Sequence, residues 1–149
     1  MKILGHPLHI IIVGPTTGFI LASSFLDICY WYTRDLMWQK ATFWVLACTL
    51  VLAFCAITAG LVDFINLRNL DFTKKEESNK IKIASFHMLI MTTLVSLLSF
   101  SFVLRIHASP EDILPSALLY LASFLLPLGA WLGGELVLRY RLGFIDTKS

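Results

Sequence analysis

The chain has 149 residues, of which 57% are hydrophobic and 15% charged, and its mean hydropathy is +0.76. Soluble domains carry about 25% charged residues, so this composition excludes an ordinary soluble enzyme and points to the membrane. A formal charge of +2 gives no reason to expect a nucleic-acid partner, and the basic residues read instead as topology signals.

The first apolar segment covers about residues 8–29 and opens on Gly5-His6-Pro7-Leu8-His9. That stretch is expected as a first helical turn, where a proline gives up only an N–H that has no intrahelical partner. Gly14-Pro15 predicts a kink that loosens one backbone hydrogen bond, with Thr16 and Thr17 placed to satisfy what it frees. Lys2 followed by an apolar run also has the outline of a signal peptide, with Leu21-Ala22-Ser23 as a weak cleavage site. The Gly-Pro pair inside the run favours a retained span instead. Tyr30, Trp31 and Tyr32 then form an aromatic cluster suited to the far membrane interface.

A short polar connection, Thr33 to Lys40, leads to a second segment at about 41–66. The third covers about 81–104 and the fourth about 113–138. At ~1.5 Å per residue each crosses a ~30 Å hydrocarbon core. The expected fold class is therefore all-α: one integral membrane domain over residues 1–149, a bundle of four transmembrane helices running up-down-up-down. The one polar excursion is Leu67–Lys80, whose centre Lys74-Lys75-Glu76-Glu77 reads as a solvated loop. No internal repeat is visible.

In that topology Lys2, Arg68, Lys74, Lys75, Lys80, Lys82, Arg139, Arg141 and Lys148 lie on one side, and Arg34, Lys40 and Arg105 on the other. This bias predicts that both termini and the middle loop are cytoplasmic. The start of segment one, the end of two, the start of three and the end of four then meet at one face. Asp63, His87 and Glu135 each fall four or five residues inward of a basic residue, which is roughly 6–8 Å. His6 and His9 follow Lys2 at a comparable level. Ionisable groups in lipid cost about 2.5–3.5 kcal/mol on insertion scales and normally face the bundle interior. The expected site is therefore His6, His9, Asp63, His87 and Glu135, although either acid has the alternative of pairing with Arg68 or Arg139.

Asp27 stands apart beside the aromatic cluster, with an interfacial salt bridge to Arg34 or Arg105 as its expected role. His107 is expected in the outer loop. Cys29, Cys48 and Cys55 form no Cys-x-x-Cys pair and read as small buried apolar side chains. Gly129, Gly133 and Gly134 surround Glu135 at a spacing that admits a neighbouring helix or a flat ligand.

Gly-His-Pro-Leu-His, Gly60-Leu61-Val62-Asp63-Phe64, Phe86-His87 and the Gly-Gly-Glu-Leu-Val-Leu-Arg-Tyr-Arg run at 133–141 together resemble the bacterial membrane-protein family called domain of unknown function 2231. The resemblance covers nearly the whole chain. Two positions depart from it: Ile10 stands where the family's opening often has a second proline, and Leu142 where members often carry a histidine. The resemblance implies a bacterial inner membrane and a redox setting, since relatives occur joined to Rieske-type or cytochrome-c-type domains.

Three functions remain open on these residues, and they do not decide whether the chain is an enzyme. One is an electron-transfer module with haem b held by His9 and His87, His6 being a substitute, and a redox protein or quinone as partner. Another is a zinc, iron, manganese or copper site on His6, His9, Asp63, His87 and Glu135, serving metal binding, transport or oxidation. Transport is disfavoured by the lack of a matching polar trail in the outer half. The third is a non-catalytic assembly or stabilising subunit. The surroundings are the lipid bilayer, with a homo-oligomer left open; no hydrolase constellation or phosphate loop is visible.

Overall fold

The structure, a computed structural model, describes the backbone of residues 2–3, 6–67, 75–107 and 109–140, and the side chains of residues 9–65, 76–107 and 109–140. Its four long helices are α1 (Leu8–Thr33), α2 (Leu36–Leu67), α3 (Lys75–His107) and α4 (Ile113–Leu138). A minimal antiparallel pair, β1 (Lys2–Ile3) and β2 (His6–Pro7), precedes α1. All four helices are long and apolar enough to cross a membrane. They are apolar all round rather than amphipathic, and outward-facing side chains such as Trp44, Phe124 and Trp131 lie open at 69%, 81% and 68%. That is the surface of a multi-pass protein solvated by lipid.

The helix ends differ from the expected spans in an instructive way. His6 and Pro7 are extended rather than part of a first turn, because the residue before a proline is disfavoured in the α region. At the other end α1 continues through the aromatic cluster, so the connection to α2 is only Arg34 and Asp35. Arg34 takes a left-handed φ of 60° and its N–H bonds Tyr30 O at 2.7 Å, which closes α1. Its guanidinium lies 4.5 Å over the Trp31 ring, and Asp35 Oδ1 accepts from Met37 N–H at 2.8 Å to start α2. Lys75, Glu76 and Glu77 form the first turn of α3 instead of a solvated loop, with the acids complementing the positive helix end. Residues 68–74 and 141–149, with the basic residues expected there, lie outside the described residues. α1 runs through Pro15 without a break. Thr16 donates to Ile12 O at 2.8 Å, not to Ile11 O, the acceptor that the proline leaves without its helical N–H.

α1 packs chiefly on α2 and α3 chiefly on α4, making two hairpins that meet along a lighter seam. His9 near the start of α1 touches Ala56 far along α2, and Ser101 late in α3 touches Pro115 early in α4, so each hairpin is antiparallel. α1 and α3 are diagonal across the bundle. The core joins Ile20, Leu46, Leu50, Ala53, Leu94, Leu98, Leu119, Ala122 and Leu126, at the three- and four-residue spacings of helices packed side by side. Lipid removes most of the hydrophobic drive for this packing, so close approach through small residues carries it. On α2 these are Ala53, Ala56, Ala59 and Gly60, all buried.

Candidate functional site

The two inner histidines are held by the same device, once in each hairpin. On α1, His9 Nδ1 bonds Ala56 O of α2 at 2.9 Å, and its ring lies over Gly60, one turn on. On α3, His87 Nδ1 bonds Gly129 O of α4 at 3.0 Å, and its ring lies over Gly133, again one turn on. A β-carbon at Gly60 would stand 3.1 Å from His9 Cε1, and one at Gly133 would stand 3.0 Å from His87 Cε1. The missing side chains thus make the notch that admits each ring and opens the carbonyl's second lone pair to it. Since a carbonyl only accepts, Nδ1 must be the protonated nitrogen, and in a neutral imidazole that leaves Nε2 with a free lone pair. The rings come from diagonal helices and meet with centroids 6.3 Å apart and planes at 88°.

The rest of the expected constellation does not join them. Glu135 Oε1 accepts from Arg139 Nη1 at 2.7 Å, and these side chains are 29% and 68% exposed. It lies two residues beyond Gly133, which turns it about 200° away from the histidine face. Height along the helix places it correctly, but azimuth removes it. Asp63 is half-buried on α2 and already has a bonding or electrostatic partner. His6 has its backbone in β2, and its side chain lies outside the described residues. Among the described residues no group of three or more His, Cys, Asp or Glu side chains is gathered closely enough to hold a metal ion. The glycine face of α4 is also occupied: Met91 Sδ stands 2.7 Å from where a Gly129 β-carbon would be, and His87 fills Gly133.

A second polar centre lies at the other end of the bundle. Asp27 is 0% exposed, where an interfacial position was expected, and Arg105 Nη2 meets its Oδ1 at 2.7 Å. Neither Asp27 oxygen makes a well-aligned hydrogen bond, so Arg105 holds it as an ion pair rather than as a two-pronged fork. The Tyr120 hydroxyl faces the same carboxylate. Arg105 also reaches Ser101 and Ser116, both at 3.5 Å, and Ser116 accepts from Trp31 Nε1 at 2.9 Å. Arg34, the other expected partner, is on Trp31 instead. This end of the bundle is therefore richer in buried polar groups than its sequence suggests. The available signal was spacing: Thr16, Ser23 and Asp27 fall on one face of α1, and Thr42 and Thr49 on one face of α2. The hydroxyls of Thr16, Ser23, Thr42 and Thr49 each donate to the carbonyl four residues back. Ile20, Leu46, Leu94 and Leu98, all at 0–1% exposure, form an apolar layer between this centre and the histidines. His107 is exposed at the end of α3, and Cys48 and Cys55, expected to be buried, are exposed on the apolar outer surface of α2, with Cys29 half-buried.

The model of the family described as predicted membrane protein (DUF2231) matches residues 5–146, and the chain belongs to that family. No curated protein and no solved structure matches it.

Proposed function

We propose that this DUF2231 membrane protein carries one redox-active metal centre between His9 and His87 and serves as an electron-transfer module. The observation that supports this reading is the shared orientation of the pair. Both Nδ1 atoms are committed to backbone carbonyls, so both Nε2 lone pairs are available, at 6.3 Å between ring centres. With metal–nitrogen bonds of about 2.0–2.1 Å, two imidazoles on opposite sides of one metal hold their centres roughly 6 Å apart. The Nδ1–carbonyl bonds are also the outer-shell contacts that ordinarily fix a ligating histidine's tautomer and ring direction.

Two protein ligands are what haem iron takes axially, the porphyrin supplying the rest. Structural zinc uses four and catalytic zinc three, and Asp63 and Glu135 do not complete such a set with the histidines. Haem b is therefore the first form of the centre. To seat it, the Met91 side chain has to leave the α4 glycine face, while His87 keeps its bond to Gly129 O. A copper ion is the second form, favoured by Met91 one turn beyond His87, because thioether ligands select copper(I). When bound, either group supplies one-electron chemistry; the chain supplies the histidines, their orientation and a lipid-sealed setting. A quinone or a redox protein is the partner class that fits. Positive-inside counting puts the histidine end on the cytoplasmic side of a bacterial inner membrane, and burial of Arg105 against Asp27 sharpens the bias by removing one outer basic residue.

The test is an absorption spectrum with metal analysis on detergent-purified protein. Wild type is expected to hold one haem or one copper per chain, and His87→Ala and His87→Gln to lose it while still inserting. If wild type holds neither and His87→Gln is as stable as wild type, the pair is a clasp that fixes helix register. The chain is then a structural subunit.

A further inference from the structure

At the end of the bundle remote from the histidines, the start of α2, the end of α3 and the start of α4 enclose a cavity of about 360 Å³. We infer that this cavity binds the phosphate group of a membrane lipid. Two cationic side chains line it, Lys40 and Arg105. Lys40 is exposed on the first turns of α2, and no ion pair engages it among the described residues. Arg105 is the opposite case: its side chain is 5% exposed, with Nη2 on Asp27 and Nε toward Ser101. Those contacts and the one from Nη2 to Ser116 fix the guanidinium plane, and among the described residues no hydrogen bond engages Nη1. A pre-positioned guanidinium with a mobile ammonium beside it suits an oxyanion with several acceptor oxygens.

The charges that oppose an anion are both engaged elsewhere. Asp27 lies behind Arg105 as its ion-pair partner. Asp112 also lines the cavity, but its Oδ2 accepts from Ser109 N–H at 3.0 Å within the α3–α4 turn. The remaining wall is Gln39, Ser109, Pro115 and an aromatic part, Phe43 and Trp44, on the lipid side. Phe43 stacks on Phe102 at 4.8 Å, and Trp44 packs edge-on against Phe43 while staying 69% exposed. A ligand that fills the whole cavity is anionic at one end and apolar at the other, and it arrives from the membrane plane past Trp44. A phospholipid has that chemistry at an interface. A free phosphate satisfies only the cationic half.

Titration of detergent-purified protein with phosphatidylglycerol, read by native mass spectrometry, tests the inference, with inorganic phosphate as competitor. One retained lipid per chain is expected, unaffected by millimolar phosphate. Lys40→Gln is expected to weaken retention roughly ten-fold, the scale of one charge-assisted hydrogen bond. Arg105→Lys keeps a cation beside Asp27 but loses the planar fork, and should weaken it similarly while leaving the unfolding temperature near that of wild type. Absence of a retained lipid overturns the inference, as does unchanged retention in both variants. Displacement by inorganic phosphate overturns the lipid assignment in favour of a soluble anion.

Discussion

The buried Asp27–Arg105 pair makes a prediction whose size follows from its surroundings. The two groups meet at 2.7 Å with side chains 0% and 5% exposed, so each charge is compensated chiefly by its partner and only weakly by solvent. Charge centres about 4 Å apart at an effective dielectric near 20 attract by about 4 kcal/mol. Losing one member of a buried pair typically costs about 3–5 kcal/mol. Asp27→Asn keeps the shape but strands Arg105, and should destabilise the protein by that amount. Asp27→Asn combined with Arg105→Met removes both charges and should recover most of the loss, because a buried pair and an apolar replacement are close in energy. The assay is reversible unfolding in mixed micelles, with the four proteins of the cycle compared at one detergent composition. A single-variant cost below about 1 kcal/mol, or losses that simply add in the double variant, would refute the reasoning. Either outcome would mean that the pair is solvated or free to rearrange.

The exposed counterpart, Glu135–Arg139, should behave oppositely: Glu135→Gln is expected to cost under about 1 kcal/mol and to leave metal or haem content unchanged, so loss of the bound group would return Glu135 to the site. Gly133→Ala places a β-carbon 3.0 Å from His87 Cε1, whereas Gly134→Ala meets nothing within 4 Å. Unfolding measurements should show a loss of about 1–3 kcal/mol for the first and a neutral to slightly favourable change for the second; equal effects would show that the notch does not hold the ring. Gly60→Ala should repeat the Gly133 result at His9, where the clearance is 3.1 Å. Impermeant amine labelling of intact cells should reach Lys40 and miss Lys80; the reverse pattern would invert the proposed orientation.

Much of the architecture was legible in the residues. Four apolar runs almost free of charge leave a backbone in lipid one simple way to satisfy its hydrogen bonds, which is helix, and α4 occupies the span read from the sequence. Boundaries were less legible because hydropathy marks the hydrocarbon, while a helix continues into the interface until something closes it. Arg34 and Asp35 do so between α1 and α2, and neither announces itself in a hydropathy pattern. The internal repetition was not visible at all. His9 over Ala56 and Gly60 and His87 over Gly129 and Gly133 are equivalent contacts, but they require only a ring and a small residue, which leaves little common sequence.

The sequence by itself determined the membrane class, the number of spans and the level at which His9, Asp63, His87 and Glu135 lie, because a helix converts residue number into height at a fixed rise. Tertiary structure decided which of them face one another. A half-turn of azimuth sends Glu135 to Arg139 and His87 to Gly129 O. At the other end it turns Arg105, read as an outer basic residue, inward onto Asp27. Rotation of each helix about its axis is set by how the small-residue faces of two hairpins fit together, and that fit depends on all four helices at once.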